Sequence, residues 1–374
     1  MAEEQDRAAL PRDLAEAHVS GLPERFARHA LVPGFRQDRL AAATVVIAGV
    51  GALGNVVAQA LALAGVGKLV LCDPDVVAAS NLSRAPLFRP ADVGRPKVLA
   101  AKDTLAALAP ETVVEARQAP LVSGVGLAEM RDASLVVGCL DSRAARMSLA
   151  GRAGLVRARW IDAATSAWGG EVRPFLDPEG PCYACALSPE ERAKSDVPWS
   201  CMDPRRPAEL GASAPVAGLV GAWASALAAR VIMGAPAAAH AVVIDVLRGA
   251  AEPLTIERAP DCPLHAPIGE ATRIPLGSGA TVGALRAALG PGARPLAWRP
   301  LLQRLECPRG DHAEDAWGTW GARDCPRCGT LMRARTTLLF EGAPEGAVLS
   351  DLGVAPREIL AVLGRFGITY VELS

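Results

Sequence analysis

Val45-Val46-Ile47-Ala48-Gly49-Val50-Gly51-Ala52-Leu53-Gly54 decides how the rest of the chain is read. An apolar run meets three glycines and passes into small and branched apolar residues, the pattern of a buried strand turning directly into a helix. Glycine permits the tight turn, lets backbone N–H groups approach a phosphate, and allows the helix to pack closely on its sheet. A second apolar run, 69–72, ends at Asp73. That acid lies about 20 residues beyond the glycines, where a carboxylate can bind a ribose hydroxyl. The glycines alone would also fit a tight turn with no ligand; strand, helix and acid in this order read as a nucleotide site.

Asp75, Asn81, Arg84 and Lys97 follow within one short segment that lacks a long apolar run. A dinucleotide used for hydride transfer needs no such cluster. A triphosphate does, because its β- and γ-oxygens call for several cationic and amide donors, Arg as a planar fork and Lys as a point charge. Each of these residues taken singly would equally suit a solvated loop.

Outward from this core the chain alternates as βα units. Residues 96–108 read as a helix with proline at its first position, 112–116 as a strand, 135–140 as a buried strand, 143–153 as a helix and 160–163 as a strand; 127–130 is short and ambiguous. Such alternation predicts an α/β fold with a doubly wound, mostly parallel Rossmann-like sheet, whose ligands sit at the carboxyl ends of the strands. Asp73 and Asp141 both stand at such ends and are expected to share one cleft. Residues 211–229 carry no charge and are about long enough to cross a bilayer. Their small residues, the start at Ser213 and Pro215 and the stop at Arg230 predict a buried helix instead.

With 374 residues and 51% hydrophobic content, the chain can bury a large core in two or three domains. A net charge of −1 gives no basic footprint for nucleic acid. The charged first dozen residues hold no signal pattern, so a cytoplasmic location is expected and the cysteines read as metal ligands or reactive thiols before disulfides.

Cys182-Tyr-Ala-Cys185 and Cys262-Pro-Leu-His265 form two knuckles, three thiolates and an imidazole that suit a tetrahedral structural zinc site clamping the crossover region. A second set, Cys307, Cys325 and Cys328 with His312 as the expected fourth ligand, suggests a small zinc ribbon. Cys72 and Cys139 lie in apolar strands and read as core residues. Cys201, in Pro198-Trp199-Ser200-Cys201-Met202-Asp203, is unpaired by this scheme, with Arg205 and Arg206 nearby to favour its thiolate. It could equally be a bystander.

The glycine segment, the cluster from Asp75 to Lys97, and Arg25-Phe26-Ala27-Arg28-His29 followed by Pro33-Gly34-Phe35 resemble the ThiF/MoeB/HesA group, the bacterial relatives of ubiquitin-activating enzymes, over residues 25–267. That resemblance implies a homodimer that binds ATP with Mg2+ and adenylates the C-terminal glycine of a small ubiquitin-like or sulfur-carrier protein, without nucleic acid or membrane as partner. It implies that Arg28 reaches the phosphates across the dimer, that Asp73 holds the ribose, that Asn81, Arg84 and Lys97 grip the phosphates, and that Asp141 positions magnesium. Cys201 stands where ThiF-type enzymes carry a cysteine that takes the activated carboxylate or its sulfur; MoeB-type relatives do without one. Two departures are visible, Ala85 where the group often has Gln and Ser142 where it often has Asn.

The expected organisation is an N-terminal helical segment (1–40), an adenylation domain with structural zinc (41–270) and a small C-terminal α/β domain (271–374). In the last, 281–289 and 357–363 read as helices and 336–340 and 369–373 as strands. Adenylation of a peptide, a nicotinamide-dependent oxidoreductase and a non-catalytic scaffold are the alternative readings.

Overall fold

The computed structural model describes residues 23–193, 213–235, 240–310, 312–318, 323–365 and 367–374. Cys201 and most of the expected N-terminal segment lie outside them. Two short 3-10 turns, Glu24–Phe26 and His29–Leu31, lead into helix α1 (Gln37–Ala42).

The first sheet has β1 (Thr44–Ala48), β2 (Lys68–Cys72), β3 (Val113–Arg117), β4 (Leu135–Gly138), β5 (Trp160–Thr165), β6 (Gly169–Phe175), β7 (Ala241–Asp245) and β8 (Ala250–Leu254), in the order β3-β2-β1-β4-β5-β6-β7-β8. β3 to β5 across this order are parallel, and the remaining pairings, from β5 to β8, are antiparallel. The strand order reverses between β1 and β4, which opens a crevice at their carboxyl ends.

Alternate residues of each strand serve opposite faces, as the period of two requires. Val45, Ile47, Leu69, Leu71, Leu135, Val137 and Ile161 form one core with helices α2 (Ala52–Leu63), α3 (Lys97–Leu108) and α8 (Ala214–Met233). Val46, Val70, Val136 and Trp160 form another with α5 (Leu127–Asp132) and α6 (Arg143–Val156). The short helices α4 (Leu121–Gly124) and α7 (Pro189–Ala193) complete this part. The ambiguous stretch 127–130 is thus helical.

α8 begins where Ser213 Oγ accepts from Val216 N and ends at Gly234, whose φ of +71° supplies the left-handed cap. It is the helix among the described residues long and apolar enough to span a membrane, and half of its most apolar window is buried. Val220 and Ala224 enter the core, and Gly221 lies against Val56 of α2, where a side chain would collide.

The second sheet contains β9 (Ala271–Ile274), β10 (Arg294–Glu306), β11 (Ala313–Gly318), β12 (Arg333–Leu339), β13 (Ile359–Gly364) and β14 (Gly367–Leu373), in the order β11-β10-β13-β14-β9, with β12 also pairing with β10. Only β14 and β9 run parallel here. Helix α9 (Val282–Leu289) buries Val282 and Leu285 against Leu301, Phe340, Leu360 and Leu373. The helix expected over 357–363 is a strand. Arg357 has φ +54°, outside the helical region, and Ile359 to Val362 are buried side by side in an interior strand bonded to both β10 and β14.

α6 meets three other parts of the molecule. Arg146 in its first turns donates to Leu140 O at 2.7 Å, Gly154 lies against the backbone of Leu264, and Arg152 pairs with Glu358 at 2.8 Å. This last ion pair is almost fully buried, with side chains 5% and 3% exposed.

Candidate nucleotide site and cysteine clusters

Gly49, directly after β1, takes φ +92° and sits under Cys139 O, where a Cβ would clash. Gly54 abuts the Gly49 carbonyl, so α2 can start only if both positions lack side chains. Asn55, fully buried, locks the turn: its Nδ2 donates to Val50 O at 2.8 Å and Gly51 O at 3.0 Å, and its Oδ1 accepts from Leu87 N at 3.0 Å. Asp73, 5% exposed at the end of β2, accepts from Val50 N at 2.7 Å through Oδ2 and from Asp75 N at 2.9 Å through Oδ1. Each carboxylate oxygen keeps a second acceptor site, enough for a ribose hydroxyl. Burial raises its pKa, against the pull of Lys97 and of the two backbone donors.

Lys97 opens α3 and directs Nζ to Asp75 Oδ2 at 2.7 Å, with Asp73 Oδ1 at 3.9 Å. Asp141 follows β4 and is exposed. Ser142 caps α6 by accepting from Ala145 N at 3.2 Å, a role its hydroxyl suits. Gly49, Gly51, Asp73, Asp75, Lys97 and Asp141 all line one cleft of about 280 Å³, together with an apolar wall of Pro120, Leu121 and Val122. The arrangement offers a turn of backbone N–H groups, a buried carboxylate with free acceptor sites, a cation and a further, exposed carboxylate.

Gly54 lies beneath this cleft. Asn81, Arg84 and Arg28 are outside its lining. Asn81 Oδ1 accepts from Ala78 N at 3.0 Å, Arg84 Nη1 donates to Ser80 O at 2.7 Å, and Arg28 is exposed between the two N-terminal turns. Ala85 is buried among apolar neighbours.

Sequence reasoning missed Asn55, the apolar wall and a buried charge cluster on β5 and β6 that reaches Leu140 O through Arg146. Asp162 on β5 is 1% exposed, 3.5 Å from Arg146 Nε and 3.9 Å from Arg173 Nη1 of the neighbouring strand. Neither of its oxygens has a hydrogen-bond partner among the described residues, and burial pushes its pKa up to about 6 despite the two guanidinium groups. Arg173 also pairs with Glu171 and lies over the Tyr183 ring. The available signals were an acid inside the apolar run 160–163 and an amide on the apolar helix after Gly54.

Cys182, Cys185, Cys262 and His265 converge with their ligand atoms within 4.8 Å of one another. Cys182 Sγ is 3.7 Å from Cys185 Sγ and 3.5 Å from Cys262 Sγ, and Cys185 Sγ is 3.1 Å from His265 Nε2. A zinc tetrahedron with Zn–S of about 2.3 Å has edges of about 3.8 Å, so this donor set fits zinc. Burial, followed by the Cys185 charge, pushes the Cys182 thiol up to about 12, and burial followed by Arg258 lowers the His265 pKa, favouring the neutral imidazole a metal needs.

Cys307, Cys325 and Cys328 gather in the second sheet, with Cys307 Sγ 3.4 Å from Cys328 Sγ. His312 stands outside this group. Its carbonyl accepts from Cys307 N at 2.8 Å, while its Nε2 lies 3.6 Å from a Glu314 oxygen and has no hydrogen-bond partner among the described residues. Cys72 and Cys139 are buried, and burial raises both thiols, consistent with core roles.

Residues 24–264 match the ThiF family. The chain is 35% identical over 251 residues to the sulfur carrier protein adenylyltransferase of Thermus thermophilus, covering 64% of this chain and 90% of that one. It is 31% identical over 244 residues to the molybdopterin-synthase adenylyltransferase of Salmonella typhimurium, covering 64% and 94%. The fold is shared with Escherichia coli MccB solved with ATP, at a TM-score of 0.56 and 21% identity over 68% of this chain and 79% of that one.

Proposed function

This chain belongs to the ThiF family of adenylyltransferases, and from that premise we propose that it adenylates the C-terminal glycine of a small ubiquitin-like or sulfur-carrier protein. The nicotinamide alternative falls with the family assignment. The observation that carries the proposal is the meeting of Gly49, Gly51, Asp73, Lys97 and Asp141 in one cleft at the switch point of the sheet. The names of the relatives from T. thermophilus and S. typhimurium support the same substrate class.

The reaction joins a carboxylate oxygen to the α-phosphorus of ATP and releases pyrophosphate. The nucleophile is already ionised, so the site needs little general-base work and acts by placing charge. Asp73 would hold the ribose, the Gly49–Gly51 turn would present N–H donors to phosphate, and Lys97 would leave Asp75 for the phosphates. Asn81 and Arg84 would join them from the adjoining turn, and Arg28 would arrive from a second copy. Asp141 would hold magnesium, which supplies charge neutralisation on the leaving pyrophosphate when bound. The exposed Leu219 and Trp223 of α8 suit an interface in the homodimer. Cys201 would accept the acyl group as a thioester, its sulfur displacing AMP from the acyl adenylate; or, once a separate persulfide donor has passed it a sulfane sulfur and left as its thiol, its terminal sulfur would displace AMP to give an acyl disulfide. The four-ligand cluster would hold zinc as a structural clamp.

ATP–pyrophosphate exchange by the purified protein against a panel of ubiquitin-like proteins ending in Gly-Gly tests the proposal. Exchange with one member is expected; silence with all of them alongside ATP binding would favour a peptide substrate or a scaffold.

A further inference from the structure

We propose that the second sheet braces the wall of the nucleotide cleft, and that Arg299 is a positioning residue for ATP binding. This inference rests on the nucleotide site proposed above.

The wall residues Leu121 and Val122 belong to α4, a single turn. One turn of helix is unstable by itself because nucleation fixes several residues for one hydrogen bond. Something outside it must therefore hold it in place. On one side Arg117 Nη1 of the first sheet donates to Gly124 O at 2.7 Å. On the other, the supports come from the second sheet, directly or through Arg152 of α6, and follow one another along the chain. Arg299 Nη1 of β10 donates to Ser123 Oγ at 2.7 Å. Arg152 Nη2 donates to Val125 O at 2.7 Å and to Glu358 Oε2 at 2.8 Å. Glu358 Oε1 accepts from Leu127 N at 3.0 Å and from Ile359 N at 3.0 Å. Ala128 N donates to Arg357 O at 3.1 Å. Gly126 lies so close to the carbonyls of Pro356 and Arg357 that any side chain there would collide.

Positions 123, 125, 127 and 128 are thus tied, directly or through Arg152, to β10 or to the 357–359 segment, and 126 is pressed against it. Ser123 is bonded to the second sheet while its neighbours 121 and 122 face the cleft. A shift of the second sheet moves the wall.

The test is equilibrium binding of ATP with Mg2+ to the full-length protein, beside its thermal unfolding midpoint. Arg299→Ala and Ser123→Ala are each expected to weaken ATP binding about fivefold. The double variant should be no weaker than either alone, and Arg299→Lys should recover part of the loss. Arg131→Ala removes a contact to Glu372 at the same interface but away from the wall; it should lower the midpoint and leave ATP binding unchanged. Wild-type affinity in Arg299→Ala, or equal weakening by Arg131→Ala, would overturn the brace. No ATP binding by the wild-type chain would instead overturn the nucleotide site itself.

Discussion

Around the first sheet, Asp73 and Asp141 from the ends of β2 and β4 and Lys97 from the start of α3 approach one cleft, and a separate cluster gathers four potential metal ligands. In the second sheet, many charged residues pair across exposed strands and loops, as in Arg294 with Glu341 and Arg335 with Glu306, while the buried Glu358 and Glu372 bind arginines rather than line a cleft, and the cysteine cluster gathers three groups. The contrast at the cleft follows from strand direction. Parallel strands put all their carboxyl ends on one edge, so residues distant in sequence meet there. Antiparallel strands alternate their ends and scatter the same residue types. Chemistry collects in the first sheet, and the second contributes through what it holds.

The strongest way to break this comparison is to unmake the clamps. Cys262→Ser removes one of four ligands from the closed cluster and is expected to cost about 5 kcal/mol of folding free energy when zinc is present, part of the ~10 kcal/mol that a whole structural site can supply. Cys325→Ser should lower the stability of the second sheet while leaving unfolding of the first little changed; denaturant unfolding with zinc release as a second readout separates the two. Equal loss from both would erase the distinction.

Next, Asp141→Ala should reduce pyrophosphate exchange about a thousandfold, or about 4 kcal/mol of barrier, with the unfolding midpoint unchanged. Retained exchange would remove Asp141 from the site. Glu358→Ala leaves Arg152 charged and buried without its carboxylate, and should destabilise the chain by about 3 kcal/mol. A double replacement of Arg152 and Glu358 by apolar residues of similar size should recover much of that loss in urea unfolding. If the single variant is as stable as the parent, the two sheets are not coupled through this pair.

The smallest effect concerns Asp162, whose carboxyl is pushed up to about 6 by burial. A folded-state pKa above the unfolded one means that the folded chain holds the proton more tightly. The contribution is fully present below about pH 4 and is lost as pH rises through about 6. Asp162→Asn keeps the neutral shape, and should be more stable than the parent by up to about 3 kcal/mol at pH 8 and nearly equal to it at pH 4. A less stable variant at pH 8 would show that Arg146 and Arg173 need the ionised acid.

The parts of the molecule legible in the sequence are those set by local chemistry. The turn at Gly49 and Gly54 demands residues without side chains, the run 135–140 has no polar face to expose, and α8 carries its own start and stop at Ser213 and Gly234. The closed cysteine cluster was readable because its knuckles are local. What escaped depends on partners far away in sequence. Five apolar residues in a row do not distinguish helix from strand, and 359–363 became a strand because β10 and β14 flank it. His312 was assigned by proximity to Cys307, yet its carbonyl, not its ring, serves that neighbour. Asn55 and Asp162 gain meaning only from Leu87 and Arg146, which no periodicity connects to them.

α6 carries Arg146 toward the end of β4, Gly154 toward the Cys262–His265 knuckle and Arg152 toward the second sheet. Each residue added to an α-helix turns everything beyond it by about 100°. A single insertion between Arg146 and Arg152 would therefore rotate two of these contacts away from their partners while leaving the third in place. The helix has a fixed phase: length changes tolerated elsewhere on the surface are forbidden here, and the spacing of six between those two arginines is as much a determinant of the enzyme as their identity.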